Sequence, residues 1–280
     1  MTTPSPLRRL AATLGWTRHS FYIFSAFVLV CGLIIYVWWP LAEEVLAYID
    51  WSGPWWLYFD WLLVGIWLVM SLLIMAGAHL RVDAKIVFVG AVGGLVIEAW
   101  GTQTNLWHYY TAERPPLWII PAWPIAALST DRLVRIVNRV LAAFGRTPFG
   151  RTPFAPTGGT YSTISYWLLF IPFLVLMLIF IAPTLDKSFT WAALMICLVL
   201  IFTPNDQRLA VITFLAGSGL GYFLELWGTT RQCWTYYTLQ TPPLFAVLAH
   251  GMAAVAFWRT TLIIDHLLAR IRPILHTPNP

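Results

Sequence analysis

Charge is what this chain has least of: Asp, Glu, Lys and Arg make up only 10% of its 280 residues, against about 25% in an ordinary soluble domain. With 59% hydrophobic residues, it carries too much apolar surface for a water-soluble fold, and it belongs in a bilayer. The net charge of +5 would suggest nucleic acid in a soluble protein; here its distribution follows a membrane topology, and no nucleic-acid partner is expected. Cysteine is scarce too. Cys31 and Cys197 lie in apolar runs and Cys233 stands alone, with no Cys-x-x-Cys spacing, which excludes a disulfide framework and a zinc or redox knuckle. The six histidines, His19, His79, His108, His250, His266 and His276, show no HxxxH, HxxHH or HExxH spacing, which argues against a di-iron desaturase or a zincin. A glycine-rich phosphate loop and a Gly-x-Ser-x-Gly elbow are also missing, so nucleotide hydrolysis has no machinery. Neither metal nor cofactor is expected.

What is abundant is tryptophan, seventeen residues, each able to place an apolar body in hydrocarbon and an N–H among headgroups. There is also a duplication. EAWGTQTNLWHYYTAERPPL, residues 98–117, returns as ELWGTTRQCWTYYTLQTPPL, residues 225–244, without a gap at a constant offset of 127. Glu98, Trp100, Gly101, Thr102, Trp107, Tyr109, Tyr110 and Pro115 face Glu225, Trp227, Gly228, Thr229, Trp234, Tyr236, Tyr237 and Pro242, and upstream Arg81, Gly90 and Gly94 face Arg208, Gly217 and Gly221. Such self-similarity fixes the architecture before any element is assigned.

The apolar runs predict an all-α polytopic membrane protein of about eight transmembrane helices in two tandem parallel four-helix repeats. Residues 1–19 form a polar N-terminal arm, 20–144 the first repeat, 145–161 a Pro/Gly/Thr-rich linker, 162–272 the second repeat and 273–280 a C-terminal tail. In the first repeat the spans fall at 21–39, 61–78, 86–99 and 118–130, with a basic turn at 79–85 and a fourth span kinked by Pro121 and Pro124. Those of the second fall at 164–183, 191–202, 209–226 and 244–258. About 20 residues at 1.5 Å each cross the hydrocarbon core, and the run ending in Val37, Trp38, Trp39 and Pro40 reads as an anchor and not as a cleaved leader. Residues 41–60, acidic and rich in tryptophan, suit the membrane surface. With both termini cytoplasmic, fourteen of the seventeen Lys and Arg fall inside and only Arg114, Lys187 and Arg231 outside, as the positive-inside rule requires. A multi-pass protein of the cell membrane follows, with both signatures at the outer face. Gly94 and Gly221 are expected where the third and seventh spans cross.

The chemistry concentrates at Glu98 and Glu225. A carboxyl at the end of an apolar helix is costly unless paired, hydrated or protonated, and two related by a pseudo-twofold axis can face each other and share a proton. Trp100, Trp107, Tyr109, Tyr110, Trp227, Trp234, Tyr236 and Tyr237 surround them as candidate substrate-binding residues, whose ring faces stabilise cations. An acid in an aromatic, water-poor pocket can protonate an alkene and shelter the carbocation. Two histidines break the symmetry, His108 opposite Thr235 and His250 opposite Trp123; His108 is a candidate catalytic group beside Asn105, and His250 a binding one. The same residues also fit a purely structural role, an interface belt pinning each hairpin.

The order Glu, Gly, Thr, aromatic, Tyr and prolines opening the next span, carried by Glu98, Gly101, Thr102, Trp107, Tyr109 and Pro115 and by their copies, resembles the integral-membrane carotenoid hydratase and heterodimeric-type lycopene cyclase group. A membrane spirocyclase-like family is similar at this level. The Pro-x-Glu-Glu step of the cyclases meets Pro40-Leu41-Ala42-Glu43-Glu44 here, one residue longer. The resemblance implies cofactor-independent hydration or cyclisation of a hydrophobic isoprenoid or polyketide, with membrane lipids and an apolar small molecule as partners. The rivals are a proton-coupled transporter or permease and a non-catalytic membrane assembly protein.

Overall fold

The computed structural model describes residue 11 and residues 15–144 and 160–275; the expected linker, save its last two residues, and most of the N-terminal arm lie outside them. The described chain is mostly helical. Its helices are α1 (Arg18–Val37), α2 (Trp39–Ala47), α3 (Trp61–Met75), α4 (Leu80–Gln103), α5 (Ala122–Phe144), α6 (Thr160–Ile181), α7 (Ser188–Phe202), α8 (Gln207–Thr230) and α9 (Leu244–Leu275), with two short strands, β1 (Trp107–Tyr109) and β2 (Trp234–Tyr236).

Four helical segments are long and apolar enough to cross a membrane: Arg18–Val37, Ser162–Thr184, Gln207–Thr230 and Leu244–Ile271. Helices α3 and α7 are apolar but have only 15 residues each, about 22 Å against a core of about 30 Å. Helices α4 and α5 are long but carry charge.

Several expected boundaries are corrected. The basic turn at 79–85 is helical: Asp83 accepts a bond from the His79 N–H at 2.8 Å, which satisfies an orphan donor and starts α4 at Leu80. Pro121 and Pro124 do not kink a span. Lacking N–H groups, they sit before and inside the first turn of α5, so residues 118–121 are turn and the helix begins at Ala122. Leu248 and Gly251 occupy the matching places in α9, which starts at Leu244. That helix also runs on to Leu275, past the boundary expected at 272, because nothing between Trp258 and Arg272 breaks it.

Helices α4, α5, α8 and α9 form the central bundle: α4 packs on α5 and α9, and α8 on α9 and α5. Helices α1 and α3 flank one side and α6 the other. Gly94 does not serve a crossing of α4 with α8. A Cβ there would lie 2.2 Å from the Trp123 ring of α5, and one on Gly221 would lie 2.4 Å from His250 of α9. Each glycine therefore receives a ring from the helix that follows it.

Hydrogen bonds sort the helix ends into two groups. At one end, Ser20 bonds the Met75 carbonyl at 2.6 Å, Arg132 pairs with Asp83 at 2.6 Å with both side chains almost fully buried, and Arg259 donates to the Leu200 carbonyl at 2.8 Å. Lys85 pairs with Asp265 there at 2.5 Å. At the other end lie the two signatures, where Tyr110 donates to the Val37 carbonyl and Tyr237 to the Phe180 carbonyl. Apolar side chains of α1 such as Leu29 and Tyr36 are exposed, whereas an aromatic core of Tyr166, Phe170, Phe173 and Phe214 joins α6 to α8.

Candidate functional site

Both signatures begin inside a helix. Glu98 and Gly101 are three apart on α4, on one face, and Gly94 lies a turn before Glu98. After Gln103 the chain turns back through a Schellman motif: Leu106 N–H bonds the Gly101 carbonyl at 2.9 Å and Asn105 N–H the Thr102 carbonyl at 3.4 Å, with Asn105 left-handed at φ 61°. The second copy closes alike, from Cys233 N–H to the Gly228 carbonyl at 2.9 Å, with Gln232 at φ 56°. Each reversal lays a strand back against its own glutamate.

The strands then pair with each other, antiparallel, Trp107 opposite Tyr236, His108 opposite Thr235 and Tyr109 opposite Trp234. Side chains alternate along a strand, so Trp107 and Tyr109 are buried and His108 is exposed. Trp107 donates to Glu98 Oε2 at 3.0 Å, Tyr109 to Oε1 at 2.9 Å, and Trp123 to Oε1 at 3.1 Å. In the second half Trp234 donates to Glu225 Oε2 at 2.9 Å and Tyr236 to Oε1 at 2.8 Å, while His250 Nε2 lies 2.9 Å from Oε1. The glycines of the motif explain its spacing: a Cβ on Gly101 would fall 1.8 Å from the Trp107 ring and one on Gly228 2.0 Å from the Trp234 ring. Only bare backbone lets the two indoles slide over the helix to reach the carboxylates.

Glu98 and Glu225 line one cavity of about 150 Å³, together with Trp100, Trp107, Tyr109, Trp123, Trp234, Tyr236 and His250 and an apolar remainder that includes Ile119 and Phe245. The Trp123 and His250 rings stack across it, centroids 5.8 Å apart. Eight of the residues expected at the site are thus brought together. Four are not. His108 points away from Glu98 because it is the odd residue of the strand, and Asn105 beside it is exposed as the helix-ending residue. Tyr110 and Tyr237 tie down the ends of α1 and α6, and Trp227 donates to Asp60 at 2.7 Å and packs on Trp38. Trp123 is the residue that sequence reasoning did not place in the site, although it stands 127 positions before His250, the spacing of every other matched pair.

The two carboxylates differ in what surrounds them. Two of the three donors at Glu98 are indole N–H groups, which can only donate. At Glu225 the third partner is an imidazole, which can donate or accept. The asymmetry is thus one of partners: Glu98 meets two indoles and a phenol, and Glu225 one indole, a phenol and an imidazole able to take either role. Among the described residues no cluster of three or more His, Cys, Asp or Glu side chains suited to a metal occurs. The chain matches no family model, no curated protein and no solved structure.

Proposed function

We propose that this is an integral membrane enzyme that protonates a carbon–carbon double bond near the end of a hydrophobic chain, isoprenoid or polyketide, and completes hydration or cyclisation without a cofactor. The observation that carries the reading is the single aromatic cavity of about 150 Å³ holding one carboxylate from each half. An apolar cavity of about that size accepts benzene. Only a ring-sized end group enters, and the rest of the chain lies among the helices or in lipid.

The proton between His250 Nε2 and Glu225 Oε1 moves to one alkene carbon, whose π pair becomes the new C–H bond. The neighbouring carbon is left cationic. Aromatic rings and the Glu98 carboxylate stabilise that charge in a site with little water to compete. In hydration, water forms the C–O bond and returns a proton to the site. In cyclisation, a second double bond supplies the pair for the C–C bond, and loss of a proton from the adjacent carbon restores the acid. The site ends as it began in both cases.

In the membrane we place eight segments, four from each half, in parallel repeats, with both termini cytoplasmic and both signatures at the outer face. The charge distribution supports this orientation, since Arg81, Lys85, Arg132, Arg135 and Arg259 gather at the end of the bundle opposite the carboxylates. Short α3 and α7 then require local thinning or flanking interfacial segments.

Extracted lipids and pigments from cells with and without the gene test the chemistry. A new or missing apolar product, lost with Glu225→Gln, is expected. An unchanged extract with altered solute uptake would overturn the enzyme in favour of a proton-coupled permease.

A further inference from the structure

The carboxylate cavity does not stop at the Trp123–His250 stack. Both rings also line a second cavity of about 20 Å³, which shares Ala127, Thr130, Ala254 and Phe257 with a third of about 70 Å³. The three follow one another between α5, α8 and α9 toward the end of the bundle where Arg132 meets Asp83.

The third cavity is unlike the first. Its lining includes Thr130, Thr213, Thr261 and Asp131. Thr130 and Thr213 are 7% and 4% exposed, and Thr261 donates to the Trp258 carbonyl at 2.6 Å, which leaves its oxygen able to accept. Buried hydroxyls are normally satisfied, and a cavity holds water when it exceeds about 15 Å³ and offers two to four polar partners. Both conditions are met. Asp131 is bonded to Arg132 at 2.6 Å and to Arg135 at 2.9 Å and keeps 28% of its side chain exposed, so the cavity ends at a solvated ionic group.

We propose that the third cavity is an internal water site, with the hydroxyls of Thr130, Thr213 and Thr261 as its ligands, and that it delivers water and protons to the carboxylates from the Asp131 end. Its purpose rests on the acid chemistry proposed above; its occupancy by water does not. Three rings interrupt the path. Phe257 lies against Gly93 and meets Trp123 edge-on at 6.1 Å, and beyond it stands the Trp123–His250 stack. The ionisable groups facing the route are Asp131 with Arg132, Arg135 and Asp83 at one end, and His250, Glu225 and Glu98 at the other. His250 is the first of the latter that a proton meets, and it already touches Glu225. Each ring has to swing aside for passage, which keeps bulk water from quenching a carbocation.

Substituted cysteines test this. In a background with Cys31, Cys197 and Cys233 replaced by alanine, Thr213→Cys in proteoliposomes should be protected by silver ion added from the Asp131 side. The expected readout is loss of later alkylation by N-ethylmaleimide in denaturant. Val92→Cys, which faces lipid on α4, should stay fully alkylated. Ala254→Cys is a second reporter on the opposing helix, should Thr213→Cys fail to fold. Reporters no better protected than Val92→Cys, in protein that still forms product, would overturn the water site and leave the enzyme reading standing. Protection without any product in cells would keep the water site and remove the chemistry.

Discussion

His250→Trp separates proton transfer from architecture. It makes the second carboxylate a copy of the first, since Trp123 already occupies the matching position beside Glu98. The larger ring has room: Gly94 underlies Trp123, and Gly221, equally bare, underlies His250. Glu225 would keep three donors, now two indoles and a phenol, so folding should change little. What disappears is the only partner able to accept a proton from the carboxyl and return it. General acid catalysis contributes about 10² to 10⁴ in rate, or roughly 3 to 5 kcal/mol of barrier, and product formation should fall by that amount. Trp123→His combined with His250→Trp moves the imidazole to Glu98 and should recover much of the loss. The assay is product formed per folded protein in reconstituted membranes, with thermal stability measured alongside. If His250→Trp alone kept native turnover at unchanged stability, the imidazole would be packing, and the division of labour between the carboxylates would be refuted.

Glu225→Gln should lower turnover more than Glu98→Gln, by up to about 10⁴ against a smaller loss from weakened cation stabilisation, reversing the order that His108 beside Glu98 would suggest; equal losses would contradict it. Gly101→Ala pushes a methyl into the Trp107 ring at 1.8 Å and should destabilise by about 1 to 3 kcal/mol, whereas Gly65→Ala, with open space around it, should not, as thermal melts in detergent will show. Removing one partner of the buried Arg132–Asp83 pair, as in Asp83→Ala, should cost about 3 to 5 kcal/mol, and the double change Asp83→Ala with Arg132→Met should cost less. Cys233 lies in the loop between α8 and β2, where burial pushes its thiol up to about 12; the thiolate is the reactive form, so impermeant thiol reagents should leave it unmodified near neutral pH, and rapid labelling would show that the loop opens.

That the chain is mostly helical was legible in the apolar runs, and the pairing of the signature residues in the 127-residue offset, because both signals are linear in sequence. The reversal after Gln103 was not. It uses Asn105 and Gln232 in left-handed geometry, where glycine is the usual sign, and without it nothing tells that residues 107–109 fold back onto Glu98. Once the strand is in place, its two-residue period decides the fate of His108, which any reading by proximity in sequence assigns to the wrong side. Glu98 and Glu225 were legible as costly groups in apolar surroundings. That they share a cavity depends on β1 pairing with β2, a contact between segments far apart in the chain.

The insertion at residues 38–60 shows how the halves became unequal without losing their common frame. Between α6 and α7 the chain needs only residues 182–187, but between α1 and α3 it adds α2 and a 3-10 turn. Trp38 at the start of this insertion packs on Trp118, Trp227 and Trp234, centroids 4.9 to 6.3 Å apart, and Asp60 at its end accepts from Trp227 at 2.7 Å and Arg231 at 3.0 Å. The first half thus roofs the signature of the second, while Trp100 only reaches Thr190 at 3.3 Å in return. Glu98 and Glu225 are equally buried, each 3% exposed, but the cover over the second signature comes from the other half, and Glu225 is also the one beside His250. In the proposed chemistry Glu225 and His250 give up the proton, so the contacts from the insertion and the Trp-to-His difference fall on the half that would donate it.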